Sequence, residues 1–311
     1  ILNDALINMA CEFEKKGVEF EDVIKMGRTH LQDAVPITLG EEMTSYGSVV
    51  RRCIWRITRS LGALQNINMG GTAVGTGLNA EVEYIKKFPP ILSDLVGFQF
   101  ESAPDLIDTT NSTDCFAEVS SALKVSALSL IKIANDMRLM ASGPRCGLNE
   151  IKLPPRQPGS SIMPGKVNPV IAELLDQTCY HVIGNDLAVT MAVENGQLEL
   201  NVMEPVLAFN LFNSFRYLTN AINTFTNLLL KDLKANKEQC QKWVDNSVGI
   251  ITALLPHLGY EKCSAIAKEA YNQGTPVKEI IMREKLMTRE RMEEILSPFE
   301  MTHPGIAGGK K

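Results

Sequence analysis

The chain has 311 residues, 45% of them hydrophobic and 22% charged, and its mean hydropathy is −0.02. That balance excludes a disordered or collagen-like polymer and leaves enough length for one large core or two smaller ones. A net charge of −5, from 31 basic and 36 acidic residues mixed along the chain, argues against a nucleic-acid binder with its basic face.

No apolar run reaches the roughly 20 residues that a membrane-spanning helix needs. Seven cysteines, at 11, 53, 115, 146, 179, 240 and 263, include no C-x-x-C pair. Neither a disulfide framework nor a zinc site is expected, and a reducing, cytoplasmic setting is. Aromatics make up only 6% while Leu, Ala, Ile and Met abound, a bias towards helix. The first residue is Ile1, already in helical pattern, where a natural start carries Met, so a missing beginning is expected.

After that first helix, Gly27 to Pro36 forms a short polar break holding Arg28, Thr29, His30 and Asp33. A lone histidine is more often structural than catalytic, and composition alone favours the structural role. A long helical segment follows from about Leu39 to Asn68. Asn68 to Asn79 is rich in glycine, and its Gly75-Thr76-Gly77-Leu78-Asn79-Ala80 fits G-x-G-x-x-A. No strand pattern precedes it and no βαβ alternation surrounds it, so it reads as a tight turn rather than a dinucleotide site.

The clearest helix carries Phe116, Val119, Leu123, Ala127, Leu130, Ala134 and Met137, every step being three or four residues. Asn111 to Asp114 supplies several N-cap candidates before it. Two further long helices are expected, from Pro169 to Glu194 and from about Val206 to Leu230. Together these segments imply an all-α fold built on a bundle of long helices. Beyond about Lys234 the helices shorten and carry more charge. The expected division is a bundle domain over 1–235 and a small C-terminal helical domain over 236–311.

The most informative segment is Gly159-Ser160-Ser161-Ile162-Met163-Pro164-Gly165-Lys166-Val167-Asn168-Pro169. Asn168-Pro169 reads as an N-cap followed by proline at the first helical position, so a helix starts here with free N–H groups that favour an anion. Lys166 adds a full positive charge, and two serines lie upstream in a glycine-flanked stretch able to move over a site. The arrangement suits a carboxylate held while a serine approaches the carbon beside it. It is not a P-loop, because five residues separate Gly159 from Gly165 and Val167 stands where the magnesium-binding hydroxyl belongs. A plain surface connector is the competing reading of this loop. Glu173, one turn into the helix, is placed to pair with a histidine such as His30 if the segments converge.

Gly159 to Pro169 resembles the signature of the aspartase/fumarase superfamily. Gly27 to Asp33, Gly71 to Asn79 and Ser142 to Gly147 resemble its fumarase and aspartase branch, and the likeness runs over essentially the whole chain. Gly184-Asn185-Asp186, Gly196-Gln197, Asn201 to Pro205 and Glu300 to Gly308 are more similar to aspartases. Fumarases tend to carry a histidine after Gly-Asn, a Gly-His pair, and Phe-Lys-Pro where this chain has Met203-Glu204-Pro205.

The resemblance implies a homotetramer with a large central bundle and active sites each shared by three subunits. It also implies an N-terminal domain with further carboxylate-binding residues, absent from this sequence. The implied reaction is reversible elimination of ammonia from L-aspartate to give fumarate through an aci-carboxylate. In it Ser160 is the base and Ser161 binds substrate or orients the loop. Lys166 and Asn168 hold a carboxylate oxygen, Thr29 and His30 contact a substrate carboxylate, and Glu173 positions the imidazole. No organic cofactor is implied and no metal-ligand spacing is present, although some members of the superfamily are activated by divalent cations. The small-molecule dicarboxylate is the expected partner, with neither nucleic acid nor membrane. Fumarate hydration on the same fold is the second reading. A non-catalytic helical assembly protein is the third, disfavoured because the serine loop and its lysine are both present.

Overall fold

The structure is a computed structural model that describes residues 1–159 and 162–309. Along the chain, helix α1 (Leu2–Glu19) leads into strands β1 (Ile24–Thr29) and β2 (Gln32–Thr38), then helix α2 (Leu39–Ser60) and a 3-10 turn (Leu61–Leu64). Strand β3 (Asn66–Ile67) precedes α3 (Val82–Val96), β4 (Glu101–Ser102), the short α4 (Asp108–Asn111) and the long α5 (Asp114–Met140). Strand β5 (Ile151–Lys152) is followed by α6 (Val170–Glu194), α7 (Glu204–Phe225), a π-helical turn (Thr226–Leu230) and β6 (Lys234–Ala235). Shorter helices close the chain, the first of them α8 (Lys237–Asn246).

The chain divides into two compact units, each assembled from separated segments. The first comprises Ile1–Cys11, Gly47–Met137 and Pro155–Lys231, and the second Glu12–Tyr46, Arg138–Pro154 and Asp232–Lys311.

In the first unit the stripe expected on α5 is buried from Val119 through Met137, while Phe116 is half-buried. Leu175, Cys179 and Val182 of α6 and Leu218 and Ile222 of α7 are buried as well. Polar side chains also link these helices. Ser120 Oγ donates to Asp186 Oδ1 at 2.8 Å, Lys124 Nζ lies 2.6 Å from Asp186 Oδ2, and Asn185 Nδ2 donates to Ser214 Oγ at 3.0 Å. The all-α reading holds, with short two-stranded sheets as its only strand content among the described residues.

The second unit has its own apolar core, in which Ile24 packs with Val244, Ile250, Leu254, Ile266, Ile280 and Ile295. Within this unit β5 and β6 pair antiparallel, joining segments more than 80 residues apart in sequence.

Several boundaries differ from expectation. The helix from Leu39 ends at Ser60 rather than near Asn68, and the helix expected from Val206 begins at Glu204, with Pro205 in its first turn. It gives way to the π-helical turn after Phe225. The polar break at Gly27–Pro36 is part of an antiparallel hairpin, β1 with β2, which no strand pattern in the sequence marks. Its register shifts by one residue between Met26 and Arg28, on the β2 side. Such a bulge destroys the alternation of apolar and polar residues by which a strand is recognised.

Candidate functional site

The described candidates fall into two groups, one in each unit. In the second unit, Thr29 ends β1 and His30 follows it at the hairpin tip, both solvent-exposed. The two residues that make the turn, His30 and Leu31, have φ of 54° and 60°. A two-residue turn with both central residues left-handed has the twist that closes a hairpin, a role usually given to Asn-Gly. For His and Leu that backbone costs on the order of 1–3 kcal/mol per residue and persists only where the surroundings impose it.

Those surroundings are charged and buried. Glu150 is 0% exposed. Its Oε1 accepts from Arg28 Nη1 at 2.7 Å, and its Oε2 lies 3.0 Å from Lys25 Nζ. Lys25 Nζ also donates to Glu42 Oε2 at 2.8 Å. Burial alone pulls the Lys25 ammonium downward, but Glu42 and Glu150 outweigh it and leave it above the ordinary lysine value. On the other strand Asp33 Oδ2 accepts from Ser247 Oγ at 2.8 Å. Arg28 was legible as a cation beside Thr29, whereas nothing in the sequence marked Lys25, Glu42, Glu150 or Ser247.

In the first unit the loop before α6 carries the other group. Its stem is anchored by Arg156, whose Nε donates to the Leu228 carbonyl at 2.6 Å in the π-helical turn. Its neck is closed by Asn168 Nδ2, which donates to the Gly159 carbonyl at 2.9 Å. Gly159 is required there, since a Cβ on it would overlap the Lys166 carbonyl. Lys166 is exposed, Asn168 is half-buried, and Glu173 is half-buried in the first turn of α6. Ser160 and Ser161 lie outside the described residues.

The expected cap differs in detail. Helix α6 starts at Val170 with Pro169, not Asn168, at the capping position, and no side chain caps it. The Asn168 amide is turned back to Gly159 instead, which leaves the first N–H groups of α6 to another acceptor. Among the described residues no three His, Cys, Asp or Glu side chains are grouped to hold a metal ion, and no helix is long and apolar enough to cross a membrane.

Residues 1–184 match the family model described as Lyase, and residues 250–303 match that described as Fumarase C C-terminus. The chain belongs to the lyase family.

Among its relatives, the aspartate ammonia-lyase of a Bacillus species is 56% identical over 97% of this chain and 64% of its own length. That of Bacillus subtilis is 54% identical over 97% and 63%. The chain therefore spans less than two thirds of these relatives. Among solved structures, a fumarate lyase:delta crystallin from Brucella melitensis bound to cobalt superposes with a TM-score of 0.94 at 42% identity, covering 97% of this chain and 66% of that one. A class II fumarase from Schistosoma mansoni superposes with a TM-score of 0.91 at 34% identity, covering 96% and 66%.

Proposed function

We propose that the complete protein is an aspartate ammonia-lyase, eliminating ammonia reversibly from L-aspartate to give fumarate. The observation that carries the site is the closed neck at Gly159 and Asn168, which ties a serine-bearing loop to a helix start beside Lys166. The names of the relatives at 56% and 54% identity support the choice of substrate.

The proton to be removed lies on carbon beside a carboxylate, so catalysis is chiefly stabilisation of the charge that develops there. Ser160, as alkoxide, takes that proton, and the C–H pair delocalises into the carboxylate as a doubly charged aci-carboxylate. The pair then forms the C=C bond of fumarate as the C–N bond breaks and ammonia leaves. Lys166 and the N–H groups at the start of α6 stabilise the aci-carboxylate oxygens. Asn168 holds the loop neck and presents its remaining polar atoms to the same carboxylate. Ser161 binds substrate or orients the loop, Thr29 and His30 bind a substrate carboxylate, and Glu173 orients the imidazole.

The proposed assembly is a homotetramer with each site shared by three subunits, working in the cytoplasm. Large apolar side chains exposed on the first unit support it: Tyr180, Leu187 and Met191 on α6, Phe209 and Phe212 on α7, and Leu128 on α5 are each more than half exposed. The division at 235/236 is proposed as a boundary along the sequence, and in space segments 12–46 and 138–154 enlarge the C-terminal part.

The test uses the full-length protein, with fumarate followed by ultraviolet absorbance. Turnover of L-aspartate and not L-malate is expected, and Ser160→Ala is expected to abolish it with the assembly intact. Turnover of malate alone would make the protein a hydratase, in line with its likeness to the Schistosoma mansoni fumarase. Activity retained in Ser160→Ala would remove the serine base.

A further inference from the structure

We infer that Glu150 is a positioning residue for the substrate-binding hairpin, acting through Lys25 and Arg28 on the strand that ends at Thr29. The inference rests on the reading of Thr29 and His30 as carboxylate-binding groups.

Three observations carry it. The first is the concentration of charge. Lys25 and Arg28 lie three residues apart on β1 and both reach one carboxylate that is fully buried, with Oε1 taken by Arg28 and Oε2 facing Lys25. Arg28 Nη1 also donates to the Met26 carbonyl at 3.1 Å, so the same guanidinium grips the strand's own backbone at the bulge. Arg28 immediately precedes Thr29, and a shift of Arg28 is transmitted to it through one peptide unit.

The second observation is how firmly Glu150 itself is held. Its N–H donates to the Met140 carbonyl at 2.9 Å, and its carbonyl accepts from the Asn236 N–H at 2.8 Å. The neighbouring residue, Ile151, pairs with Ala235 in the β5–β6 ladder. The clamp is therefore anchored to the backbone at two places in the second unit, the end of α5 at Met140 and the Ala235–Asn236 stretch. On the opposite strand Asp33 is fixed by Ser247, and a Cβ on Gly249 would strike the Ala34 carbonyl. Both strands are braced below a tip whose two turn residues occupy a conformation that needs such bracing.

The third observation is energetic. Replacing a buried ion cluster by packed apolar side chains is often neutral or stabilising, so stability alone does not call for charges here. What the ionic cluster adds over an apolar one is direction: a single guanidinium nitrogen held between the Glu150 carboxylate and the Met26 carbonyl fixes where Arg28 lies on β1.

The inference is tested on the full-length protein with Glu150→Gln and Arg28→Lys, each assayed on L-aspartate and on L-malate well below its unfolding temperature. Thr29 and His30 bind a carboxylate present in substrate and transition state alike, so their displacement is expected to raise KM about tenfold with kcat falling much less. Arg28→Lys keeps the charge but loses the Nη1 that reaches Glu150 and Met26 together. It is expected to raise KM by about threefold with little change in Tm, and it keeps the test open if Glu150→Gln does not fold.

A lower Tm with KM unchanged in the variants that fold would overturn the inference, because it marks a role in stability alone. Native protein active on malate but not aspartate would sink the aspartate reading while the same comparison of KM, made on malate, still decides the role of Glu150. Native protein inactive on both would overturn the reading and this inference together.

Discussion

Lys25 shows what a single buried charge does in this protein. Its ammonium faces Glu42 from α2, Glu150 from the segment before β5, Arg28 from its own strand and Cys240 from α8. Removing it by Lys25→Met leaves Glu150 paired with Arg28 alone and Glu42 without its partner, a loss of roughly 3 kcal/mol by analogy with other broken buried pairs. Denaturant unfolding at neutral pH is expected to show that difference, and a change below about 1 kcal/mol would mean that Arg28 alone compensates Glu150. The pH dependence has a definite sign. The folded state holds the Lys25 proton more tightly than the unfolded chain, whose lysine has the ordinary value of 10.5. The stabilisation is complete below that value and disappears as pH rises through the raised one. The advantage of native protein over Lys25→Met should thus narrow only above pH 10.5. Cys240, pushed up to about 12 first by burial and then by Glu150, adds its own charge only later.

Among the elements, the connection between α6 and α7 separates structural from substrate-related signals. Asn201 belongs to the Asn201–Pro205 segment that distinguishes the aspartase-like from the fumarase-like pattern. Its side chain is buried, with Nδ2 donating to Thr113 Oγ1 and to the Ala192 carbonyl, each at 3.0 Å. Its Oδ1 accepts from the Met203 N–H at 2.8 Å just before α7. One amide thus finishes α6, opens α7 and ties both to the residue before α5. Asn201→Ala is expected to cost about 1–2 kcal/mol of stability, the range for a lost helix cap, without altering the preference between aspartate and malate. Thermal melts and paired assays check this, and a changed preference with unchanged Tm would make Asn201 a substrate contact. The hairpin is the opposite case. Its tip carries proposed function while β2 has no regular strand signature, because the bulge between Asp33 and Pro36, opposite Met26–Arg28, interrupts the period on which such a signature depends.

For the whole molecule the exposed apolar residues of α6 are decisive. Tyr180, Leu187 and Met191 are spaced seven and four residues apart, so they share one face of the helix. Such a face in water needs a cover, and the proposed one is other copies of the chain. Leu187→Glu in the full-length protein is expected to lower the assembly below a tetramer by light scattering, with loss of activity if sites are shared between subunits. A tetramer that persists with full activity would place the interface elsewhere. Monomeric native protein would reject the shared-site proposal outright.

Much of the architecture follows from local pattern. Helix α5 is legible from Phe116 to Met137 because its side chains recur with the period of the helix that buries them, and α6 begins within one residue of where Pro169 announces it. The serine loop with Lys166 stands out as a candidate from its short-range motif, whereas the role proposed for Thr29 and His30 comes from the family resemblance. Three features were settled only by tertiary structure. The amide of Asn168 closes the loop neck at Gly159 instead of capping α6. The polar break around His30 is a hairpin with a left-handed turn. Glu150 meets Arg28 across 122 positions of sequence. Periodicity and capping act between residues a few positions apart, so one sequence displays them. A buried ion cluster and a bulged strand pair depend on partners brought together by folding, and no local pattern records them.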